Sequence, residues 1–117
     1  MLRFWCRAKI SKVTITGLEL DYEGSITLPP ELMEAADILE GERVQVVNMN
    51  NGDRLETYVI KGKNDGGVLL NGPAARRGMP GDRVMVLAYA IGDRDEVRAP
   101  ILVRVDSENH LVSVGEL

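Results

Sequence analysis

One short pattern occurs twice in this chain and limits its fold more than any other feature. Gly41-Glu42-Arg43-Val44-Gln45-Val46-Val47 is matched by Gly81-Asp82-Arg83-Val84-Met85-Val86-Leu87. Each copy sets a glycine and an acid, residue types that favour turns, before an arginine and a run in which apolar residues alternate. Two copies are too few for a solenoid, which needs at least about three stacked units. They suit a pseudo-symmetric β-barrel built from two similar, interleaved halves, and a closed barrel would leave no exposed strand edges. Two ordinary turn–strand units would give the same match by coincidence.

The rest of the chain is also strand-rich. AKISKVTITGLEL alternates with period two, as a half-buried strand does. GSITLP, RVQVVNM, RLETYVIKG, GGVLLN, RVMVLAYAI, PILVRVD and LVSV read as further strands, with ARRGMPG a connector and SVGEL a frayed end. Asn51-Gly52 predicts a tight hairpin between RVQVVNM and RLETYVIKG, with both central residues at positive φ. PPELMEAADILEG predicts a short helix. Pro30 suits its first position, Leu32, Ala35, Ala36 and Leu39 recur at helical spacing, and Gly41 suits the cap. A helical turn is expected in DRDEVRAP. The expected class is therefore mainly β, with a few short helices, in a single domain over residues 1–117.

Composition excludes several functions. With 14 Lys+Arg against 18 Asp+Glu, the formal charge is −4, and no basic patch is interleaved with aromatics. A nucleic acid or an anionic membrane is thus not expected as a partner. No apolar run approaches the roughly 20 residues needed to span a bilayer, and MLRFWCRAKI is too short and charged to be a signal peptide. A lone Cys6 permits no internal disulfide, which fits the cytoplasm. A lone His110 in a polar stretch builds no zinc site, so no metal is expected.

The chemistry centres on Gly24-Ser25. Gly-Ser between strands is ordinarily a turn. A serine hydroxyl can nevertheless attack the carbonyl that precedes it, and glycine there admits strained backbone angles. The product is an ester. Elimination and hydrolysis of that ester would leave a ketone in place of the serine amine. Such a terminal ketone can form a Schiff base with an amine substrate and act as an electron sink, as a cofactor would.

Lys9 together with LDYEGS at 20–25, NNGDRLETY at 50–58 and NGPAA at 71–75 resembles the bacterial aspartate 1-decarboxylases over roughly residues 1–100. The blocks stand at the family's separations, although no single block is decisive. The resemblance implies a double-psi β-barrel and a homotetramer with sites between subunits. It implies self-cleavage between Gly24 and Ser25 into a β chain, 1–24, and an α chain, 25–117, that begins with a pyruvoyl group derived from Ser25. It further implies that Thr57 assists the acyl shift and also lines the substrate site. Arg54 and Lys9 would hold the substrate anion, and Tyr58 would return a proton to the substrate carbon. Asn71, Gly72, Ala74 and Ala75 would line the pyruvoyl pocket, beside Tyr22. The reaction implied is conversion of L-aspartate to β-alanine and CO2, for pantothenate and coenzyme A biosynthesis, with a maturation activator as a possible partner. Ser11 stands where many members have histidine, and Pro73 where alanine is usual.

The assigned residues also suit these roles physically. Aspartate enters as a net anion, and an acidic protein must offer it local positive charge. The planar fork of Arg54 can donate two parallel hydrogen bonds to one carboxylate, and a phenol such as Tyr58 can donate a proton. In a strand, residues 54 and 58 share a face and Thr57 takes the other, so Thr57 needs a twist or bulge to reach the site. Arg7 and Lys9 share a face of the first strand. Two other readings stand beside this one. The same chemistry could act on glutamate, since one methylene is worth only about 1–3 kcal/mol of discrimination. The chain could also be a non-catalytic barrel module, though such a module has no reason to hold Lys9, Ser25, Arg54, Thr57 and Tyr58 together.

Overall fold

A computed structural model describes residues 1–116. It contains nine strands: β1 (Arg3–Thr14), β2 (Gly17–Glu19), β3 (Ile26–Leu28), β4 (Arg43–Asn48), β5 (Arg54–Lys61), β6 (Leu69–Asn71), β7 (Arg83–Gly92), β8 (Ile101–Val105) and β9 (Leu111–Glu116). One α-helix, α1 (Pro30–Ala36), and two 3₁₀ turns, Gly72–Arg76 and Arg94–Glu96, join them. The mainly β class is as the alternation predicts. The strands form one sheet in the order β2-β6-β3-β5-β4-β7-β1-β8-β9. Three neighbouring pairs are parallel, β1 with β8, β2 with β6 and β3 with β5.

Alternation explains the core. Val44 and Val46 of β4, Val84 and Val86 of β7, and Ala8 and Ile10 of β1 all bury one face of their strands. They join Ile26, Leu28, Val59, Leu70 and Val103 in a single cluster, so the sheet curls around one apolar centre in the manner of a barrel. Burial of a Val, Leu or Ile side chain is worth about 1.5–3 kcal/mol, which makes this shared interior the main stabilising term. The opposite face of β1, β4, β5 and β7 carries Lys9, Gln45, Arg54, Glu56, Tyr58 and Tyr89 and points outward.

Several local expectations change. The first strand is broken after Thr14, because Ile15 donates its N–H to Asp82 and Thr16 to Val68, which hands the chain to a new neighbour at β2. Helix α1 ends at Asp37, which takes the left-handed conformation (φ 55°), rather than at Gly41, and Leu39 lies exposed beyond it. The β4–β5 hairpin has a longer loop than the Asn-Gly pair predicts. Only Gly52 has positive φ there, and Asn48 Oδ1 holds the loop by accepting from the N–H groups of Asn50 and Asn51. The end of the chain is not frayed as far as Glu116, since β9 pairs with β8; Leu117 lies outside the described residues. The turn in 94–96 forms as expected, and Asp93 and Glu96 cap it reciprocally. Among the described residues, no helix is long and apolar enough to cross a membrane.

Candidate active site

The site is assembled where β3 begins. This short strand lies between β5 and β6, with Ile26 opposite Val59 on one side and Leu70 on the other. Immediately before it the backbone turns sharply, with Gly24 at φ 139° and Ser25 at φ 100°. Glycine tolerates such an angle, but an L-residue held there stores strain of order 1–3 kcal/mol. Ser25 is also completely buried. The one non-glycine residue beside the expected cleavage point is therefore both strained and dry.

Asn71 holds Ser25 at two points. Its backbone N–H donates to the Ser25 carbonyl at 3.0 Å. Its side-chain Nδ2 donates to Ser25 Oγ at 2.8 Å and to Thr27 Oγ1 at 2.9 Å. The next residue, Gly72, presses against the turn. At its φ of 57°, a Cβ there would lie 2.3 Å from the Tyr22 carbonyl oxygen and 2.6 Å from the Gly24 nitrogen. Only a residue without a side chain fits that approach. Ala74 and Ala75 follow in the 3₁₀ turn and are buried. Tyr22 is half exposed at the rim.

Tyr58 closes the opposite side. A Cβ on Gly24 would lie 3.9 Å from Tyr58 Cε1, so the ring edge sits against the glycine. Arg54 is on the same outward face of β5. Its Nη1 donates to Gln45 Oε1 at 2.9 Å, which also accepts from the Tyr89 hydroxyl at 2.7 Å. No acidic side chain pairs with Arg54 among the described residues, and the remaining donors of its fork are open to an anion. Nearby, Arg43 pairs with Glu56. Hydrogen bonds from Arg43 and then Gln45 hold the Glu56 carboxyl below the usual carboxylate range.

Two expected participants stand apart. The β4–β5 ladder runs without a register shift, Val44 opposite Thr57 and Arg43 opposite Tyr58. Thr57 thus stays on the face opposite Arg54 and Tyr58. The expected twist or bulge is absent from that ladder, and the irregular backbone lies instead at Gly24 and Ser25, before β3. Lys9 lies on β1, and β7 and β4 separate that strand from β5. At about 4.8 Å per strand spacing, Lys9 is roughly 14 Å from β5 across the sheet. Arg7 is committed elsewhere, to the Ala36 carbonyl and the Glu42 carboxylate.

Sequence reading missed Thr27 and Gln45. Thr27 lies only two residues beyond Ser25, but its link to it runs through Asn71 and depends on the β3–β6 register. Gln45 gave no signal, since its role depends on the pairing of β4 with β5 and β7. Among the described residues, no group of three or more His, Cys, Asp or Glu side chains is placed to hold a metal ion.

These features define a class: a small, mainly β protein that curls around one core and strains a buried serine at the edge of it. Comparison with known proteins narrows this to a family. The aspartate decarboxylase family model matches residues 1–112. An aspartate 1-decarboxylase of Pelotomaculum thermopropionicum is 55% identical over 113 residues, covering 94% of this chain and 86% of the relative. Those of Acetivibrio thermocellus and Kosmotoga olearia are 50% and 52% identical, covering 92% and 93% of this chain and 88% and 96% of the relatives. The chain belongs to the aspartate decarboxylase family.

Proposed function

We propose that this chain decarboxylates L-aspartate to β-alanine, using a pyruvoyl group that it makes from Ser25. Family membership supports the reaction. One observation carries the cofactor: Ser25 is buried, strained at φ 100°, and has its hydroxyl oxygen 2.8 Å from the Asn71 amide. Strain in the uncut chain favours any step that releases it.

In the first step, Ser25 Oγ bonds to the Gly24 carbonyl carbon as the Gly24–Ser25 C–N bond breaks. The hydroxyl proton ends on the serine nitrogen, and an ester remains. Loss of the Ser25 Cα proton and of the Gly24 carboxylate then gives a carbon–carbon double bond. Water replaces the nitrogen, ammonia leaves, and residues 1–24 and 25–117 separate with a ketone at position 25. No oxidant is needed. Thr57 assists the acyl shift from the face it shares with the core, and Asn71 orients the hydroxyl.

Once formed, the pyruvoyl group supplies the electron sink for the carboxylate that leaves. The residues around it bind and orient. Arg54 takes a substrate carboxylate with its open donors, while Gly72, Ala74 and Ala75 leave room at the group itself. Tyr58, against Gly24, delivers a proton to the substrate carbon. The burial of position 25 limits the access of water to the group made there while that proton moves. Lys9 completes the anion site from a neighbouring subunit of a homotetramer, which supports placing the sites between subunits. An outward groove of about 640 Å³ between Phe4, Tyr89 and Ile91 and the Arg43–Glu56 pair offers apolar surface for such an assembly. β-Alanine made this way would feed pantothenate and coenzyme A synthesis.

Intact mass tests the proposal directly. The incubated protein is expected as two pieces, with the larger lacking one NH3 relative to a serine-initiated chain. Ser25→Ala is expected to stay whole and to release no CO2 from aspartate. A folded wild-type chain that remains whole on long incubation, with and without a bacterial lysate to supply an activator, would overturn it. Product analysis with aspartate and glutamate in competition decides the substrate.

A further inference from the structure

We propose that Thr27 is a positioning residue for conversion of Ser25, acting through Asn71. This rests on the reading of Ser25 given above and adds a residue to it. The amide nitrogen of Asn71 has two protons and can only donate. One reaches Ser25 Oγ at 2.8 Å and the other Thr27 Oγ1 at 2.9 Å. Both N–H bonds are thus committed, and the plane of the amide is fixed by two acceptors instead of one.

The strand register explains the geometry. Thr27 lies opposite Leu69 and Ile26 opposite Leu70. The next position of β6, Asn71, therefore comes alongside Ser25, and its backbone N–H donates to the Ser25 carbonyl. Ser25 precedes β3 and Thr27 lies within it, and the amide spans both hydroxyls. Asn71 itself is buried, and solvent cannot replace a lost partner.

Thr27 is itself held in place. A Cβ on Gly62 would lie 2.8 Å from Thr27 Cγ2, so the glycine backbone closes over the threonine methyl. A β-branched residue is stiff about χ1, and fixing the methyl also fixes the hydroxyl. The chain of constraint runs from Gly62 to the Thr27 methyl, from the Thr27 hydroxyl to the Asn71 amide, and from there to the Ser25 hydroxyl. Its consequence is kinetic. Ser25 Oγ stays in the orientation that Asn71 selects instead of sampling its other rotamers.

The test is the first-order rate of splitting between residues 24 and 25 in the full chain, followed by intact mass. Thr27→Val keeps the shape and removes the acceptor, and is expected to slow splitting about tenfold, as loss of one buried hydrogen bond would. Thr27→Ser restores the acceptor and is expected to return the rate to within about threefold of wild type. In an Asn71→Ala background, Thr27→Val is expected to add nothing, whereas a general weakening of β3 would slow both backgrounds alike. Should Asn71→Ala stop splitting altogether, the side-chain amide of Asn71 decides, observed by NMR in the whole Ser25→Ala chain. The amide proton directed at Thr27 is expected to exchange slowly with water when Thr27 is present and markedly faster with Thr27→Val. Splitting of Thr27→Val at the wild-type rate, or an Asn71 amide indifferent to it, overturns the role of Thr27 alone. A wild-type chain that never splits overturns the reading of Ser25 and this role with it.

Discussion

Residues 26–48 and residues 69–92 pass through the same order of structures. Each begins with a three-residue strand, β3 or β6, turns through a short helical segment, reaches a glycine at positive φ and enters a long strand, β4 or β7. The glycine turns agree bond for bond. Glu42 N–H donates to the Leu39 carbonyl and Asp82 N–H to that of Met79, at 3.1 and 3.0 Å. The two acids accept in return from Leu39 and Met79 N–H. Gly41 donates to Val59, and Gly81 to Ile15, both at 2.8 Å. The halves differ in the helical segment. In the first, Pro29 and Pro30 lead into α1, which buries Leu32, Met33 and Ala36 in the core. In the second, Asn71 and Gly72 lead into a 3₁₀ turn that lies against the Tyr22–Gly24 backbone. The framework is duplicated, and the site arises where one copy departs from the other.

That contrast can be broken at its largest difference. Gly72→Ala adds a Cβ 2.3 Å from the Tyr22 oxygen. It is expected to cost about 2–4 kcal/mol and to stop measurable splitting, read by urea unfolding and intact mass. Tolerance of alanine there would mean that the close approach has no bearing on the turn. Gly41→Ala and Gly81→Ala sharpen the shared part. Each added Cβ meets nothing within 4 Å, so the cost is backbone strain alone. Losses of about 1–2 kcal/mol are expected, equal between the two, with splitting intact. Unequal losses would show that the two turns match in outline only.

The smallest effect concerns the arginines after these turns. Arg43 pairs with Glu56, whereas Arg83 has no ion pair among the described residues. The folded chain holds the Glu56 carboxyl below its ordinary range. Its contribution to stability is therefore present above the unfolded-state value and disappears as pH falls through the folded one. Arg43→Gln is expected to move the NMR titration of Glu56 back up, and Arg83→Gln to leave it in place. Because the pair is exposed, the change in overall stability should be small.

Much of this framework is legible in the sequence. The paired glycine–acid–arginine runs marked the matching turns, and period-two alternation marked β4, β5 and β7. Both are local signals, set by turn chemistry and burial of one face. Helical spacing starts α1 correctly at Pro30 but carries it too far, because Leu39 continues the periodicity although Asp37 has already turned the chain. The site was legible only in part. Gly24-Ser25 is visible as a dipeptide, yet neither the positive φ of Ser25 nor its burial can be read from two letters. The fork from Asn71 to Ser25 and Thr27 joins residues more than forty positions apart, and only the β3–β6 register brings them together. The separation of Lys9 from β5 follows from strand order, which alternation does not encode.

The placement of Ser25 inside the polypeptide, fully enclosed between its neighbours, has a consequence for the lifetime of the protein. A dissociable prosthetic group can be replaced when it is damaged. The carbonyl proposed at position 25 could not be, since it would be part of the backbone and the peptide bond that produced it would be gone. A side reaction that aminates that carbonyl would retire the molecule permanently. Cellular capacity would then be renewed only by translating more of the protein.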